Sequence, residues 1–292
     1  MTALAEAQVA IAGLGLMGGS LGAALRSRQA CREVVGIARR QSSLNTALTL
    51  QFVHRGTTDL REGVSQADIV VLCTPVGDIL AKIAAISEWL KPGALLMDVG
   101  STKTAICSAL ARLPAAVQPV GGHPMCGKES SGLTMAEPDL YQDRVFVLCP
   151  LERTSSEARQ LAEELVRSVG ARPTYLEPER HDRLVAAISH LPAMLATTLV
   201  QTAAALGQDD PLLWTLAAGG FRDTSRVAAG SVPMMMDILA TNRDPILHAL
   251  HEAADQLGEL IACLESGDMD TIQRTLEQAA ARRRRLYHGA AH

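Results

Sequence analysis

Val9-Ala-Ile-Ala-Gly-Leu-Gly-Leu-Met-Gly-Gly-Ser20 is the stretch whose reading decides the fold. Five strand-prone residues, Gln8–Ala12, run into Gly13, Gly15 and Gly18 and then into a helical pattern over 20–28. A G-x-G-x-x-G run between a strand and a helix is the context in which these glycines carry meaning. Gly13 permits the tight turn, Gly15 lets a pyrophosphate approach the backbone, and Gly18 lets the helix lie close on the strand. The helix start around Leu16 and Met17 offers unpaired N–H groups and a partial positive charge to phosphate.

The second strand, Val34–Ile37, ends in Ala38-Arg39-Arg40-Gln41-Ser42. An NAD-binding unit carries Asp or Glu about 20 residues past the glycines, where it bonds the ribose 2′-hydroxyl. No carboxylate stands there, and two guanidiniums do. Arg pairs with phosphate through a planar fork. The residues therefore point to NADP, with Arg39, Arg40 and Ser42 around the 2′-phosphate; a solvated basic turn is the other reading.

Strands and helices then alternate. Ala67–Cys73 ends at Thr74-Pro75, and 78–89 has helical spacing. Ala94–Val99 leads into Gly100-Ser101-Thr102-Lys103 and a helix to Leu113. Val117–Val120 leads into Gly121-Gly-His123-Pro-Met-Cys-Gly127, and 144–149 and 172–176 read as two further strands around a helix over 155–169. This is a doubly wound α/β pattern, a Rossmann-type dinucleotide-binding domain. Ligands in such sheets sit outside the carboxyl ends of the strands, where Thr74, Pro75, Ser101 and His123 all fall. From Glu179 onward only helical patterns appear. The expected division is therefore 1–178, dinucleotide-binding, and 179–292, all-α. The apolar stretch 184–206 is interrupted by Ser189, His190, Pro192 and four Thr or Gln residues, and reads as a buried helix, not a membrane span. The apolar spacing over 247–264 suggests a helix buried between neighbours or between subunits.

Composition narrows the function. The chain has 292 residues, 48% of them hydrophobic, and a net charge of -4. That argues for a folded two-domain protein and against a nucleic-acid binder. Aromatic residues are only 3%, too few for base-stacking platforms. Six scattered cysteines without a C-x-x-C pair fit reduced cytoplasmic thiols better than disulfides or a zinc site, so no metal is expected. Arg282–Arg285 reads as a solvated helix end, and no signal peptide is apparent.

His123 is placed to take a hydroxyl proton as hydride leaves the same carbon, in which case an ordinary imidazole would titrate near neutrality; a structural histidine is equally open. Ser101 either orients His123 or the substrate hydroxyl, or caps the following helix. His190 is a second candidate, with a core histidine as its alternative. Gly219–Arg226 reads as a glycine-led loop with two arginines suited to a carboxylated substrate, or as a surface loop with local salt bridges.

Five motifs in order then identify a resemblance: Gly13-Leu-Gly-Leu-Met-Gly18, Asp98-Val-Gly-Ser-Thr-Lys103, Gly122-His-Pro-Met-Cys-Gly127, Ser189-His-Leu-Pro192 and Gly220-Phe-Arg-Asp-Thr-Ser-Arg226. Over nearly its full length the chain resembles the prephenate and arogenate dehydrogenases of tyrosine biosynthesis, most closely the cyanobacterial-type, NADP-dependent arogenate members. The resemblance implies oxidative decarboxylation of a cyclohexadienol. It makes His123 the acceptor of the 4-hydroxyl proton, with Ser101 bonding that hydroxyl and holding His123. It makes Arg226 the carboxylate anchor, with His190 close by. It also implies a homodimer formed by the helical domain, and it leaves open tyrosine as a feedback inhibitor. Prephenate-preferring members often read Ser-His-Leu-Pro-His, and this chain has Ala193 at the last position, which shifts the expectation to arogenate. Asp223 is a candidate partner for the arogenate ammonium, or else pairs with Arg222 or Arg226. Two rivals remain. A β-hydroxyacid dehydrogenase would carry Lys-x-x-Asn on the interdomain helix, where this chain has Ser189-His190. A non-catalytic NADPH sensor would not need His123, Ser101 and Arg226 together.

Overall fold

The computed structural model describes residues 1–128, 130–208 and 210–288. Eight strands form one sheet in the order β3-β2-β1-β4-β5-β6-β7-β8. They are β1 Gln8–Ala12, β2 Glu33–Ile37, β3 Arg55–Thr57, β4 Ile69–Leu72, β5 Leu95–Asp98, β6 Gln118–Pro124, β7 Val145–Pro150 and β8 Arg172–Tyr175. Strands β1 to β6 run parallel, β7 is antiparallel to β6, and β8 is parallel to β7. All five β1 residues are buried, as expected for a central strand covered on both faces.

Period-2 alternation feeds two cores, one on each side of the sheet. Val9, Ile11, Ile69, Val71 and Met97 pack into one with Leu21, Leu25, Tyr141 and Leu161. Ala10, Ala12, Val70, Leu72 and Leu96 pack into the other with Ile79, Ile83, Ile106 and Leu110. The helices that supply these faces are α1 Leu16–Ser27, α4 Val76–Ile86, α5 Thr104–Ala111 and α6 Ser156–Ser168.

Three short elements escape sequence reading: α2 Gln41–Thr49, β3 and α3 Leu60–Val64. A three-residue strand and a five-residue helix are shorter than the window over which periodicity can be read. Asp59 starts α3, its carboxylate accepting from the Arg61 and Glu62 N–H groups at 2.8 and 3.1 Å.

Beyond the sheet come α7 Pro178–Val185, a π-helical turn Ala186–His190, α8 Leu191–Leu206, α9 Leu212–Thr215, α10 Gly219–Ser225 and α11 Val232–Thr241. Pro192 has no N–H to give the carbonyl four residues back, and the chain opens instead into a wider turn in which the Leu191 N–H reaches the Ala186 carbonyl. Gly219–Arg226 is not a loop. It is α10 followed by a 3-10 turn, Arg226–Ala229. Its glycines sit at the helix start, where they are tolerated, and the Phe221 ring packs edge-on to Trp214 at 5.9 Å.

The 184–206 stretch is helical but not buried within the chain. Along α8 only Ala193 and Ala196 are buried, while Leu184, Ile188, Leu195 and Leu206 are exposed. By length and composition Pro178–Leu206 would suffice to cross a membrane. Compact packing divides the chain into 1–243 and 244–292. The second unit carries α12 Arg243–Ser266 and α13 Met269–His288, with Leu257, Ile261, Leu264 and Leu276 exposed.

Candidate active site

The glycine turn lies where β1 meets β4, on either side of which the chain winds in opposite directions. Gly13 has φ +106°, a conformation that a side chain rarely adopts, and an added Cβ would meet Thr74 Cγ2 at 2.5 Å and the Cys73 carbonyl at 2.8 Å. A Cβ on Gly15 would meet nothing within 4 Å. Open space therefore faces the first turn of α1, where the backbone N–H groups have no helical partner. The Tyr141 phenol, fully buried, donates to the Met17 carbonyl at 2.7 Å and fixes that turn. The Thr74 hydroxyl is buried beside it without a hydrogen-bond partner among the described residues. A bare glycine cradle and an orphaned hydroxyl fit a dinucleotide pyrophosphate and its ribose. Arg39, Arg40 and Ser42 are exposed past the end of β2, and neither guanidinium makes a hydrogen bond or ion pair among the described residues.

Asp98, the last residue of β5, ties the next three segments together. Its carboxylate accepts from the Gly100 N–H at 2.7 Å and the Gly122 N–H at 3.0 Å, and it pairs with the Lys103 ammonium. Asp98 and Lys103 are both completely buried. Gly122 directly precedes His123, so this ion pair sets the height of the histidine on β6.

His123 is half-buried, and its Nδ1 lies 2.8 Å from His181 Nε2. His181 Nδ1 lies 2.8 Å from Asp182 Oδ1. The Asp182 carboxylate also accepts from the backbone N–H of Lys103 at 2.7 Å and of Thr104 at 2.8 Å. It thereby caps α5 from another helix, in favourable alignment with the helix dipole. Ser101 does not fill that role, because α5 begins at Thr104. The Ser101 hydroxyl makes no hydrogen bond to His123 or to any other described residue; His181 holds His123 instead. Asn242 completes the cluster, its side-chain amide donating to the Asp182 carbonyl at 2.8 Å and lying 3.1 Å from His190 Nδ1. His190 is buried at the end of the π turn, a distortion frequent at functional sites.

The electrostatics follow from this packing. Burial would raise the Asp182 carboxyl, but hydrogen bonds from His181, Thr104 and Lys103 outweigh it and hold the group below its ordinary range. Burial, then the charge of Lys103, then the neighbouring His181 and His190 push His123 well below 6.5, opposed by Asp182. The expectation of a base titrating near neutrality is thus corrected: burial and Lys103 both disfavour the imidazolium, so the ring is neutral through the neutral range. Burial lowers His190 to about 4, so it too is neutral.

Sequence reading missed His181, Asp182 and Asn242. The pair falls in the first turns of α7, where a polar residue reads as helix surface, yet His181 is 1% and Asp182 2% exposed. Ala193 is buried in the first turn of α8. Asp223 pairs with Arg222 at 3.1 Å on an exposed surface. Arg226 is exposed in the 3-10 turn after α10, which packs against α8.

The model of the prephenate dehydrogenase nucleotide-binding domain matches residues 21–175, and that of the prephenate dehydrogenase dimerization domain matches 177–278. The chain is 31% identical to the prephenate dehydrogenase of Bacillus subtilis over 93% of its own length and 74% of the relative's. Its fold matches the crystal structure of Synechocystis arogenate dehydrogenase with a TM-score of 0.83 at 32% identity, covering 96% of this chain and 99% of that one. It also matches prephenate dehydrogenase from Aquifex aeolicus, solved with hydroxyphenyl propionate and NAD+, with a TM-score of 0.90 at 27% identity over 98% and 100% of the two chains. The chain therefore belongs to the prephenate dehydrogenase family of nucleotide-binding oxidoreductases.

Proposed function

We propose that this chain is an NADP-preferring arogenate dehydrogenase of tyrosine biosynthesis, acting as a cytoplasmic homodimer. The observation that carries the reading is His123: a neutral imidazole at the carboxyl end of β6, its Nδ1 occupied by His181 and its Nε2 left to accept a proton. Bound NADP supplies the hydride acceptor. His123 takes the 4-hydroxyl proton of the cyclohexadiene while hydride leaves the same carbon. The electrons left as the ring carboxylate departs as carbon dioxide restore the aromatic ring, and the phenol oxygen recovers its proton. Ser101 bonds the reacting hydroxyl. Arg226 anchors a substrate carboxylate. His190, neutral, donates from its outer nitrogen, and Ala193 leaves room at the side-chain end. The α1 backbone at Leu16 and Met17 would take the pyrophosphate, and Thr74 and Pro75 would help to hold the dinucleotide.

The division after residue 178 belongs to the same proposal, supported by family domains that meet between 175 and 177. The dimer is supported by the exposed apolar residues of α8 and α12 and by the name of the second family domain.

NADP preference rests on Arg39 and Arg40. With both changed to Ala, kcat/KM for NADP is expected to fall about tenfold or more, the worth of charge-assisted bonds of ~1.5–3 kcal/mol, while use of NAD is unchanged. A wild-type enzyme that uses NAD equally well ends the idea.

Arogenate preference rests on Ala193. The two cyclohexadienes share the ring and differ only in the side chain, so Arg226→Ala should weaken both by roughly tenfold or more. Ala193→His should raise turnover of prephenate alone. Equal changes for the two substrates would detach position 193 from the choice. The second reading, a prephenate dehydrogenase, is favoured by the Bacillus subtilis relative; steady-state assay of both substrates with both cofactors separates the two.

A further inference from the structure

We propose that His181 and Asp182 are positioning residues that fix the tautomer of His123, holding its proton on Nδ1 and leaving Nε2 as the acceptor, and that Asp182 offsets the charge His123 gains. The role of the proton acceptor rests on the reading above; the tautomer does not.

The assignment starts from Asp182 and propagates by donor and acceptor counting. An ionised carboxylate only accepts. Two of its contacts are backbone N–H groups, from Lys103 and Thr104, which can only donate. Its third contact is His181 Nδ1 at 2.8 Å, which must then carry the proton. With His181 neutral, as the proposal takes it, a proton on Nδ1 leaves Nε2 bare. That nitrogen lies 2.8 Å from His123 Nδ1, so the bond between the rings requires the proton to sit on His123 Nδ1. His123 Nε2 is then the lone pair turned away from the relay. The rings meet nearly edge to face, 5.0 Å between centroids and 70° between planes, which aims the two nitrogens at each other without stacking. His181 and Asp182 are almost fully enclosed, so water does not compete for these bonds.

The same chain of bonds acts during proton transfer. When His123 Nε2 takes a proton, the ring becomes an imidazolium whose Nδ1–H remains donated to His181. The new positive charge faces Lys103, His181 and His190, which oppose it, and Asp182, which favours it. Asp182 is thus the anion that offsets Lys103 at the moment the charge appears. Its own position is pinned at both ends, by α5 through the carboxylate and by Asn242 through the carbonyl.

The test uses histidine labelled with nitrogen-15 in the full-length protein. The ring shifts of His123 are assigned by loss of its signals in His123→Asn. In the wild type, His123 is expected to be protonated on Nδ1 and bare on Nε2. Asp182→Ala removes the acceptor of the His181 Nδ1 proton. That proton is then no longer held on Nδ1, and the His123 shifts are expected to move from the Nδ1-protonated form to a mixture of the two tautomers. Turnover should fall by about tenfold or more in kcat with little change in KM, since Nε2 is blocked in part of the population and the imidazolium loses its offsetting anion. His181→Gln offers an oxygen to His123 Nδ1 and should keep the tautomer and most of kcat, whereas His181→Leu should lose both. A wild-type His123 protonated on Nε2, or a folded Asp182→Ala with the wild-type tautomer and kcat, overturns the proposal. If Asp182→Ala does not fold, the wild-type shifts and the His181 pair decide. If the shifts behave as expected but neither cyclohexadiene is consumed, the relay stands and the assigned reaction falls.

Discussion

His123→Asn is expected to bind the dinucleotide as the wild type does and to lose about 10²- to 10⁴-fold in turnover, the usual worth of a positioned general base. The asparagine can still accept a substrate hydroxyl hydrogen bond but cannot carry the proton away. The pH dependence adds a second mark. A base must be neutral to act, and burial with the Lys103 charge depresses the folded-state value of His123 well below 6.5. Activity is therefore full through neutrality and is lost only as the pH falls through that depressed value. The acid limb of kcat/KM in the wild type should lie below 6.5, and in His123→Asn it should disappear. Wild-type turnover in a folded variant would make His123 a structural residue only.

Breaking the Asp98–Lys103 pair should have the largest effect on stability. Both side chains are fully buried, and removing one partner of a buried pair strands the other charge, at a cost of about 3–5 kcal/mol. Lys103→Met leaves Asp98 with its two backbone donors; Asp98→Asn leaves Lys103 with a neutral amide. Each single variant should be strongly destabilised in urea denaturation. The double variant should recover part of the loss, because no uncompensated charge remains. If the single variants unfold within about 1 kcal/mol of the wild type, the pair does not hold β5 to β6. Lys103→Met has a further consequence for the site. Removing a cation that disfavours the His123 imidazolium lets the folded-state value rise, so the acid limb moves to higher pH. A loss of stability with an unmoved limb would separate the two roles of Lys103.

The sequence made the nucleotide-binding half legible because its signals are local. Gly13, Gly15 and Gly18 follow a strand within a dozen residues, and Val9/Ile11 against Ala10/Ala12 shows the period-2 pattern directly. The helical half was legible as helix but not as surface. Apolar spacing over 184–206 says that the residues need cover without saying whether the chain supplies it, and Leu195 and Leu206 are exposed. At Gly219 the glycines suggested a loop, while they stand at a helix start. His123 was found because it follows a strand and two glycines. Its partners were not, because they meet it only after folding: His181 lies 58 residues away, and Asn242 reaches Asp182 across 60. No periodicity links such positions, and the structure alone shows that a histidine and an aspartate in a helix's first turns face inward.

Strand order also dictates a schedule of assembly. Of the eight strands β1 is made first, yet its two neighbours are β2 and β4, and the second of these ends at Leu72. Strand β1 cannot gain its second neighbour before Leu72 has been made, and each parallel partner must wait for a crossover helix, the kind of non-local pairing that folds slowly. The nascent chain therefore presents Val9–Ala12 unpaired for longer than any other strand, although it ends fully buried. The cluster around Asp182 closes last, since Asn242 arrives only after α11. Nucleotide-binding competence should thus precede completion of the site during synthesis, with the β1 edge as the segment most exposed to mispairing in between.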